Sequence, residues 1–337
     1  MSDVVIVVGT TRGREDVDPR DIKQMVGRTG RKHDGTDAIA HVIVEVERED
    51  EIREGLDHGE HMDVFSCFGK TDDFYFHFMS EIVDEVVVNT ETAQMWYSRS
   101  LEFRQGGKKN FKKIFDKLLS WESITIINDV VRPTRLGCIA SELYFHPENT
   151  QSWKDNFGQV FELGLEKDTA AIAWALGTRT HSKSHGDFGQ DYRYIMDDFK
   201  SALPLGLDVE KGTLTQCVLW WCAMGGPPAG KLRNQLLQLK EDVGRIKRAL
   251  VKIDTDIMHW DRTEFFDDVE VMVKKNVSDR LLDLCKLPGM TKSRADYLYN
   301  AGVKSAEDIE GILPNIEEEI DDSFKVVLEE IINGLRR

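Results

Sequence analysis

One segment near the start of the chain combines an amide with two guanidinium groups, and its sequence is QMVGRTGR (residues 24–31). On a helix, Gln24, Arg28 and Arg31 fall at i, i+4 and i+7 and therefore lie on one face. Arginine suits a phosphate ligand, because its planar fork makes bidentate, charge-assisted hydrogen bonds and its charge does not titrate away. Such a face can stabilise the charge that builds up on a γ-phosphoryl group during its transfer. A basic helix end that complements the helix dipole is the alternative.

A second group of candidate residues lies on a long helix predicted for residues 231–257. Arg233, Lys240 and Lys247 recur every seven residues, and because an ideal helix drifts by only ~20° per heptad, they form one continuous cationic stripe. Residues 231–252 contain seven Lys or Arg and only two Asp or Glu, a net charge of +5. The stripe is typical of a surface that follows a nucleic-acid backbone, although a bundle helix with a solvated face shows the same pattern. An apolar seam with alternating steps of four and three accompanies it: Leu232, Leu236, Leu239, Val243, Ile246, Leu250, Ile253 and Ile257.

A third group is the segment LPGMTKSRA (residues 287–295), which has the pattern of a helix-hairpin-helix. Gly289 permits a sharp turn and leaves backbone N–H groups open to a phosphate oxygen at a helix N-terminus. Lys292 and Arg294 add positive charge. Such a module binds DNA without reading its sequence, and a purely structural hairpin is the alternative.

The elements that must position the first group form a small α/β piece. Val4–Val8 is a β-branched run that ends at a glycine and predicts a buried strand, and His41–Val46 predicts a second. A helix over Asp21–Val26 lies between them. This order and spacing indicate the last part of a parallel α/β sheet.

After about residue 60 the sequence predicts helices almost throughout. Residues 111–121 have helical apolar spacing, residues 124–127 predict a short strand, and Arg132-Pro133 predicts a turn. Thr134 is a suitable N-cap for a helix over Leu136–Phe145. Helix, strand, turn and helix in about 40 residues indicate a winged helix.

We therefore predict a mostly α protein with a small α/β piece, followed by a winged helix, a helical bundle and a helix-hairpin-helix. The expected boundaries are 1–60 for the α/β piece, 61–100 for connecting helices, 101–150 for the winged helix, 151–277 for the bundle and 278–337 for the helix-hairpin-helix domain.

Composition narrows the classes of function. The 337 residues carry a net charge of −16, so the chain as a whole would repel nucleic acid, and any nucleic-acid contact must come from local basic surfaces. The five cysteines are scattered without a CxxC pair, so they indicate neither a disulfide framework nor a zinc ribbon, and they favour a reduced, intracellular setting (cytoplasm or nucleoid). No signal peptide or membrane span is predicted. His181 and His185 are spaced for a metal on a helix, but their segment predicts a loop, and we predict no metal site.

The segment at residues 24–31 resembles motif VI of superfamily-two helicases. The rest of the chain resembles the Ski-like group, in particular the archaeal and animal DNA-repair helicases that carry a winged helix, a ratchet bundle and a helix-hairpin-helix. The resemblance covers nearly the whole chain in family order and includes SEIVD (80–84), YSR (97–99), PTRLGCIASELY (133–144) and LYNAGVKSAEDI (298–309).

This resemblance implies the C-terminal half of an ATP-dependent DNA helicase, a hydrolase that grips single-stranded or forked DNA. It implies that residues 1–60 are the end of the second RecA-like helicase domain, so that the small α/β piece is a remnant of a RecA-like domain, and that residues 151–277 are a helical ratchet bundle with residues 231–257 as the ratchet helix. It also implies that Gln24, Gly27, Arg28 and Arg31 serve a composite ATP and Mg²⁺ site, with Arg31 and Arg28 in the catalytic role. The family's aromatic residue two turns after Arg233 is replaced by Glu241.

The sequence contains no GxxxxGK[ST] phosphate loop and no DExH box. We therefore expect no ATP hydrolysis by the chain alone, because motif VI cannot by itself hold Mg²⁺ or cradle the triphosphate. A separately encoded N-terminal half would supply the missing parts, or the chain is a remnant or truncated reading of a longer helicase. The alternative function is a stand-alone, non-catalytic DNA-binding or regulatory protein derived from a helicase.

Overall fold

The chain divides into two compact units, residues 1–66 and 67–337. The computed structural model describes residues 4–9, 11–12, 15–17, 19–26, 39–57, 66–69, 71–178, 189–227, 233–316 and 319–335. Helices predominate among these residues, and the strands described form two-stranded sheets. The predicted mostly helical fold with a small sheet is confirmed, whereas the division into named domains stays a prediction. No helix within these ranges is long and apolar enough to span a membrane.

In the first unit, β1 (Val4–Val8) and β4 (Ile39–Ile43) pair in parallel, with Val4 opposite Ile39. Helix α1 (Pro19–Val26) lies between them in sequence and buries Ile22 completely. The predicted order of strand, helix and strand is confirmed, but the second strand begins and ends earlier than predicted, because Val46 starts a 3₁₀ turn. The unit also contains β2 (Thr11–Arg12), β3 (Glu15–Asp16) and α2 (Glu49–Asp57).

The two faces of the β1–β4 sheet differ in cover. Val7 is buried on one face, whereas Val4, Ile6 and Val8 are exposed on the other. The strand partners of Val4 and Val8 are Ile39 and Ile43, which are exposed as well. Parallel strands are normally covered on both faces, and the apolar sequence of β1 is typical of such a strand. Within the part of the chain that the structure describes, only one face of the β1–β4 sheet is covered.

The second unit begins with a core built from helices and one hairpin, in which Phe78 and Leu118 are fully buried. The hairpin pairs β5 (Ile124–Ile127) with β6 (Val130–Pro133). The turn predicted at Arg132-Pro133 is therefore wrong, since both residues belong to β6. The chain turns instead at Asn128 and Asp129, whose φ angles of 52° and 62° are those of a two-residue hairpin turn. The helices are α3 (Thr71–Val83), α4 (Thr90–Ser98), α5 (Leu101–Arg104) and α6 (Phe111–Ser120).

Helix α7 (Arg135–Glu142) follows the hairpin and links it to the largest core of the chain. Its predicted N-cap is confirmed, because the Thr134 hydroxyl accepts a hydrogen bond from the Gly137 N–H at 3.1 Å. The large core contains fully buried Trp153, Phe157 and Trp220. It is built with α8 (Pro147–Glu162), α9 (Thr169–Leu176), α10 (Gly189–Ala202), α11 (Leu214–Ala223), α12 (Arg233–Ile253) and α13 (Thr263–Lys275).

The connection between α12 and α13 is fixed by a buried carboxylate. Helix α12 continues as a π-helical turn over Asp254–Met258. The Asp254 carboxylate accepts hydrogen bonds from the N–H groups of Asp261 at 2.9 Å and Arg262 at 2.7 Å. These bonds satisfy the first N–H groups before α13, so Asp254 closes the link between the two helices.

A third core lies at the C-terminal end of the chain, where Leu298 and Leu328 are fully buried. The two short helices predicted on either side of the LPGM turn are present. The helices are α14 (Asp279–Lys286), α15 (Lys292–Asn300), α16 (Asp308–Ile316) and α17 (Asp322–Leu335).

Candidate nucleic-acid interface

The structure places Gln24 on α1, where its side chain is exposed. Gly27, Arg28 and Arg31 lie outside the described residues, so the common face expected for Gln24, Arg28 and Arg31 stays a prediction. The β1–α1–β4 order puts this segment in the link between two parallel strands. Links of this kind are where α/β proteins place ligand-binding residues.

The apolar seam predicted for the long helix is confirmed along α12. Leu239, Val243, Ile246, Leu250 and Ile253 are all buried in the large core. The opposite side of the helix carries exposed polar residues, including Glu241 and Arg248. Helix α12 is therefore amphipathic, as its spacing predicts, and presents one side to solvent.

The predicted cationic stripe lies on a flank of α12, and one of its members is paired there. The Lys247 ammonium lies 2.8 Å from the Asp267 carboxylate and 2.7 Å from the Glu270 carboxylate, both on α13. Lys240 is half-buried and has no ion-pair partner within the described ranges. The backbone of Arg233 begins α12, and its side chain lies outside the described residues. Lys247 can meet a DNA phosphate only by exchanging its protein oxygens for a phosphate oxygen.

The pKa values of Lys247 and Glu270 are shifted in the directions expected for an ion pair. Hydrogen bonds to Asp267 and Glu270 raise the pKa of Lys247 above its ordinary value of 10.5. Burial acts to raise the pKa of Glu270, but hydrogen bonds from Lys247 and Lys274 outweigh it and hold that pKa below 4.5. Both members of the pair therefore stay charged across the neutral range.

Two further cations of α12 connect the helix to α7. Arg245 donates hydrogen bonds to the carbonyl oxygens of Leu143 at 3.3 Å and Tyr144 at 3.1 Å, and its guanidinium lies 4.4 Å from the Phe145 ring centre. Lys252 pairs with Glu142 at 2.7 Å. Among the cations counted along α12, Arg245, Lys247 and Lys252 are thus held by oxygen atoms of the protein itself.

Arg248 differs from these cations and was missed as a site residue. It is exposed, and none of the described residues pairs with it. The sequence carried a signal for it, because a residue midway between the buried Ile246 and Leu250 must point away from the core of a helix. Arg248 is thus the most available cation on the solvent side of α12 among the residues described.

The hairpin between α14 and α15 has the backbone geometry that the sequence predicts. Gly289 has a φ of +69°, a left-handed conformation that favours glycine. A Cβ at this position would lie 2.9 Å from Cγ2 of Val327. Thr291 caps α15 by accepting a hydrogen bond from the Arg294 N–H at 3.3 Å. Gly289 is therefore required twice, by its own conformation and by the close approach of α17.

The two cations of the hairpin contact the protein itself. The Lys292 ammonium donates to the Asn276 backbone oxygen at 2.8 Å and to its side-chain oxygen at 3.2 Å. Arg294 donates to the Gly289 carbonyl at 3.2 Å and to the Ser323 hydroxyl at 2.6 Å, and its guanidinium lies 5.0 Å from the Phe324 ring centre. Both side chains hold the hairpin against neighbouring elements, and a role in DNA binding stays a prediction.

Metal ligands are not brought together in this part of the molecule. Among the described residues, no group of three or more His, Cys, Asp or Glu side chains is placed to hold a metal ion. His181 and His185 lie outside the described residues.

No protein-family model matches the sequence. The chain is 21% identical over 301 residues to the ATP-dependent DNA helicase Hel308 of Thermoplasma volcanium, a match that covers 86% of this chain and 43% of that protein. It is 23% identical over 339 aligned positions to the ATP-dependent DNA helicase Hel308 of Thermococcus kodakarensis, with 90% of this chain and 29% of that protein covered. The chain is thus related in sequence to DNA helicases and spans less than half the length of these two relatives.

Proposed function

We propose that this chain acts as the C-terminal portion of an ATP-dependent DNA helicase of the Ski-like group. The observation that carries the proposal is the extent of the similarity, which runs over 86% and 90% of the chain in two Hel308 helicases. The parallel β1–β4 pair and the mostly helical remainder are consistent with the domain order expected from the sequence.

In this proposal the segment at residues 24–31 completes an ATP site that other parts of the helicase build. Gln24, Gly27, Arg28 and Arg31 would bind the nucleotide, and the two arginines would stabilise the charge of the transferring γ-phosphoryl. The phosphate loop and the DExH box come from an N-terminal half. The one-sided cover of the β1–β4 sheet supports this view, because a parallel sheet is stable when both faces are packed.

The DNA-binding part of the proposal rests on α12 and the hairpin. We place the main phosphate contacts at Arg233, Lys240 and Arg248. Among the side chains described, those of Lys240 and Arg248 have no ion-pair partner. Lys247, Lys292, Arg294 and the turn at Gly289 would contact the strand only where a phosphate oxygen replaces a protein oxygen. Backbone tracking of this kind tolerates any sequence.

The ATP part is tested by complementation. The chain alone should not hydrolyse ATP with or without single-stranded DNA. Mixed with, or fused to, the N-terminal portion of the Thermococcus kodakarensis Hel308 that precedes the matched region, it should restore DNA-stimulated ATPase activity. Arg31→Ala should abolish that activity, and Lys23→Ala, at an exposed neighbouring cation off the predicted face, should leave it.

Two results would contradict the proposal. Full activity in the Arg31→Ala mixture would remove the motif VI role. If this chain binds single-stranded DNA but no mixture or fusion with an N-terminal helicase portion gains ATPase activity, the alternative of a stand-alone DNA-binding protein is favoured.

A further inference from the structure

Tyr144 occupies a backbone position that helices usually give to glycine. Its φ is 59°, in the left-handed region. The Phe145 N–H donates to the Ala140 carbonyl at 2.8 Å and the Tyr144 N–H donates to the Ser141 carbonyl at 3.2 Å. These two bonds form the Schellman motif that closes α7, with Tyr144 at its left-handed position. A side chain with a Cβ is unfavourable there, and strain of this kind concentrates at functional sites.

The strained backbone presents the Tyr144 ring to solvent. The residue is 54% exposed, although tyrosine is a large, partly apolar side chain. One side of the ring stacks on Phe76, with ring centres 5.5 Å apart and planes at 24°. The His77 ring meets it edge-on at 6.2 Å. Phe76 and His77 thus support the ring from α3, so that the exposed part of the ring is held in a fixed orientation.

The backbone that carries this ring is hydrogen-bonded to a residue of α12. Arg245 of α12 donates to the Tyr144 carbonyl at 3.1 Å and therefore fixes the backbone from which the ring extends. Two carboxylates of these helices are paired, Glu142 with Lys252 and Asp242 with Arg245, whereas Glu241 of α12 is exposed. Arg248 follows Arg245 by one helical turn and is exposed. An oriented aromatic ring is therefore joined, through Arg245, to the helix that carries an available guanidinium.

We propose that Tyr144 is a stacking platform for one unpaired base of single-stranded DNA, with Arg248 contacting a phosphate of the same strand. This inference rests on the proposed function and adds a residue to its binding surface. An aromatic face next to a cation is the combination that binds single strands without sequence preference, because every base has a π-face and every nucleotide a phosphate. Arg245 acts as a positioning residue for the ring.

The test exploits the glycine-like backbone. Tyr144→Gly removes the ring and supplies the residue that the conformation favours, so folding stability is retained or increased. Binding of a fluorescein-labelled 20-nucleotide oligo(dT), measured by fluorescence anisotropy, should weaken by about tenfold, within the range for loss of one stacked base. The slope of log affinity against log salt should not change, because the phenol ring releases no counterions. Tyr144→Phe should bind like the unmodified chain.

Tyr194→Ala is the matched control, since Tyr194 on α10 is 72% exposed. It should leave affinity unchanged. The proposal is overturned if Tyr144→Gly binds oligo(dT) as tightly as the unmodified chain, or if Tyr194→Ala weakens binding to the same degree. If the unmodified chain itself fails to bind oligo(dT) at low salt, the proposed DNA-binding function fails first, and the role of Tyr144 fails with it.

Discussion

Helix α12 and the hairpin between α14 and α15 both carry cations that the sequence marks as DNA contacts, but the structure uses the two sets differently. In the hairpin, Lys292 and Arg294 donate to oxygens of Asn276, Gly289 and Ser323. On α12, Lys240 has no ion-pair partner among the residues described, and neither has Arg248, an exposed cation that was not predicted as a DNA contact. A count of positive residues therefore does not measure the charge that is available to a ligand.

The difference has a physical origin in burial. A partly buried ammonium must keep its hydrogen bonds, because an unsatisfied buried donor or acceptor costs free energy. An exposed guanidinium is solvated by water and can exchange that water for a phosphate. We therefore expect substitutions in the hairpin to affect folding stability, and substitutions on the solvent side of α12 to affect DNA affinity and its salt dependence.

The largest expected effect is on stability, at Gly289. Gly289→Ala should lower the free energy of unfolding by about 3 kcal/mol, because it combines the left-handed penalty with overpacking against Val327. Gly302→Ala is the control, since Gly302 has a φ of +97° and a Cβ there would meet nothing within 4 Å. That control should cost about 1 kcal/mol. Urea unfolding measures both, and equal costs at the two positions would show that the contact with Val327 is unimportant.

The next effect separates structure from binding at Lys292. Lys292→Met should lower the free energy of unfolding by about 2 kcal/mol, because the Asn276 oxygens lose their donor. Lys304→Met, at an exposed residue in the loop that follows α15, should be neutral. Thermal unfolding and oligo(dT) anisotropy are measured on the same samples. Unchanged stability together with weakened binding would reverse our comparison, since Lys292 would then face DNA.

On α12 the expected effect is on salt dependence. Lys240→Ala and Arg248→Ala should each reduce the slope of log affinity for oligo(dT) against log salt by ~0.7, the value for one single-strand phosphate contact. Lys247→Ala should leave the slope unchanged, because Lys247 is paired with Asp267 and Glu270. A reduced slope in Lys247→Ala would instead show that all three cations of the stripe, Arg233, Lys240 and Lys247, contact phosphates. Replacing the three together would then reduce the slope by ~2.

The smallest effect is a pH-dependent stability difference across the Lys247–Glu270 pair. The depressed pKa of Glu270 stabilises the fold above pH 4.5 and this contribution is lost as pH falls through the folded-state value. The raised pKa of Lys247 stabilises the fold below pH 10.5 and this contribution is lost as pH rises through its folded-state value. Lys247→Met should therefore cost up to ~1 kcal/mol between these limits and less outside them. Lys240→Met should show no such profile, and a flat difference for Lys247→Met would contradict the pairing.

Local signals in the sequence predict much of the fold. The Thr134 N-cap and the helical apolar spacing at residues 111–120 depend on near neighbours, and both are present in the structure. The error at Arg132-Pro133 has the same local origin. The turn prediction rested on the proline alone, whereas the chain turns at Asn128-Asp129, whose side chains tolerate the left-handed conformations that a tight hairpin requires.

The candidate interface was harder to predict, because it depends on contacts between distant residues. The partners of Lys247 lie on α13, twenty and twenty-three positions later, and Lys252 pairs with a carboxylate on α7. The charge count for residues 231–252 included none of these carboxylates. Tyr144 was missed for a related reason: a glycine would have marked the left-handed position after α7, and a tyrosine gives no such signal.

The uncovered face of the β1–β4 sheet has a practical consequence for handling the protein. Val4, Ile6, Val8, Ile39 and Ile43 expose apolar surface on strands whose outer edges have no partner strand among those described. Open strand edges and contiguous apolar surface promote self-association and aggregation. We therefore expect concentrated preparations of the chain to aggregate through residues 1–66. Residues 67–337 contain the three hydrophobic cores described above and are the better choice for purification.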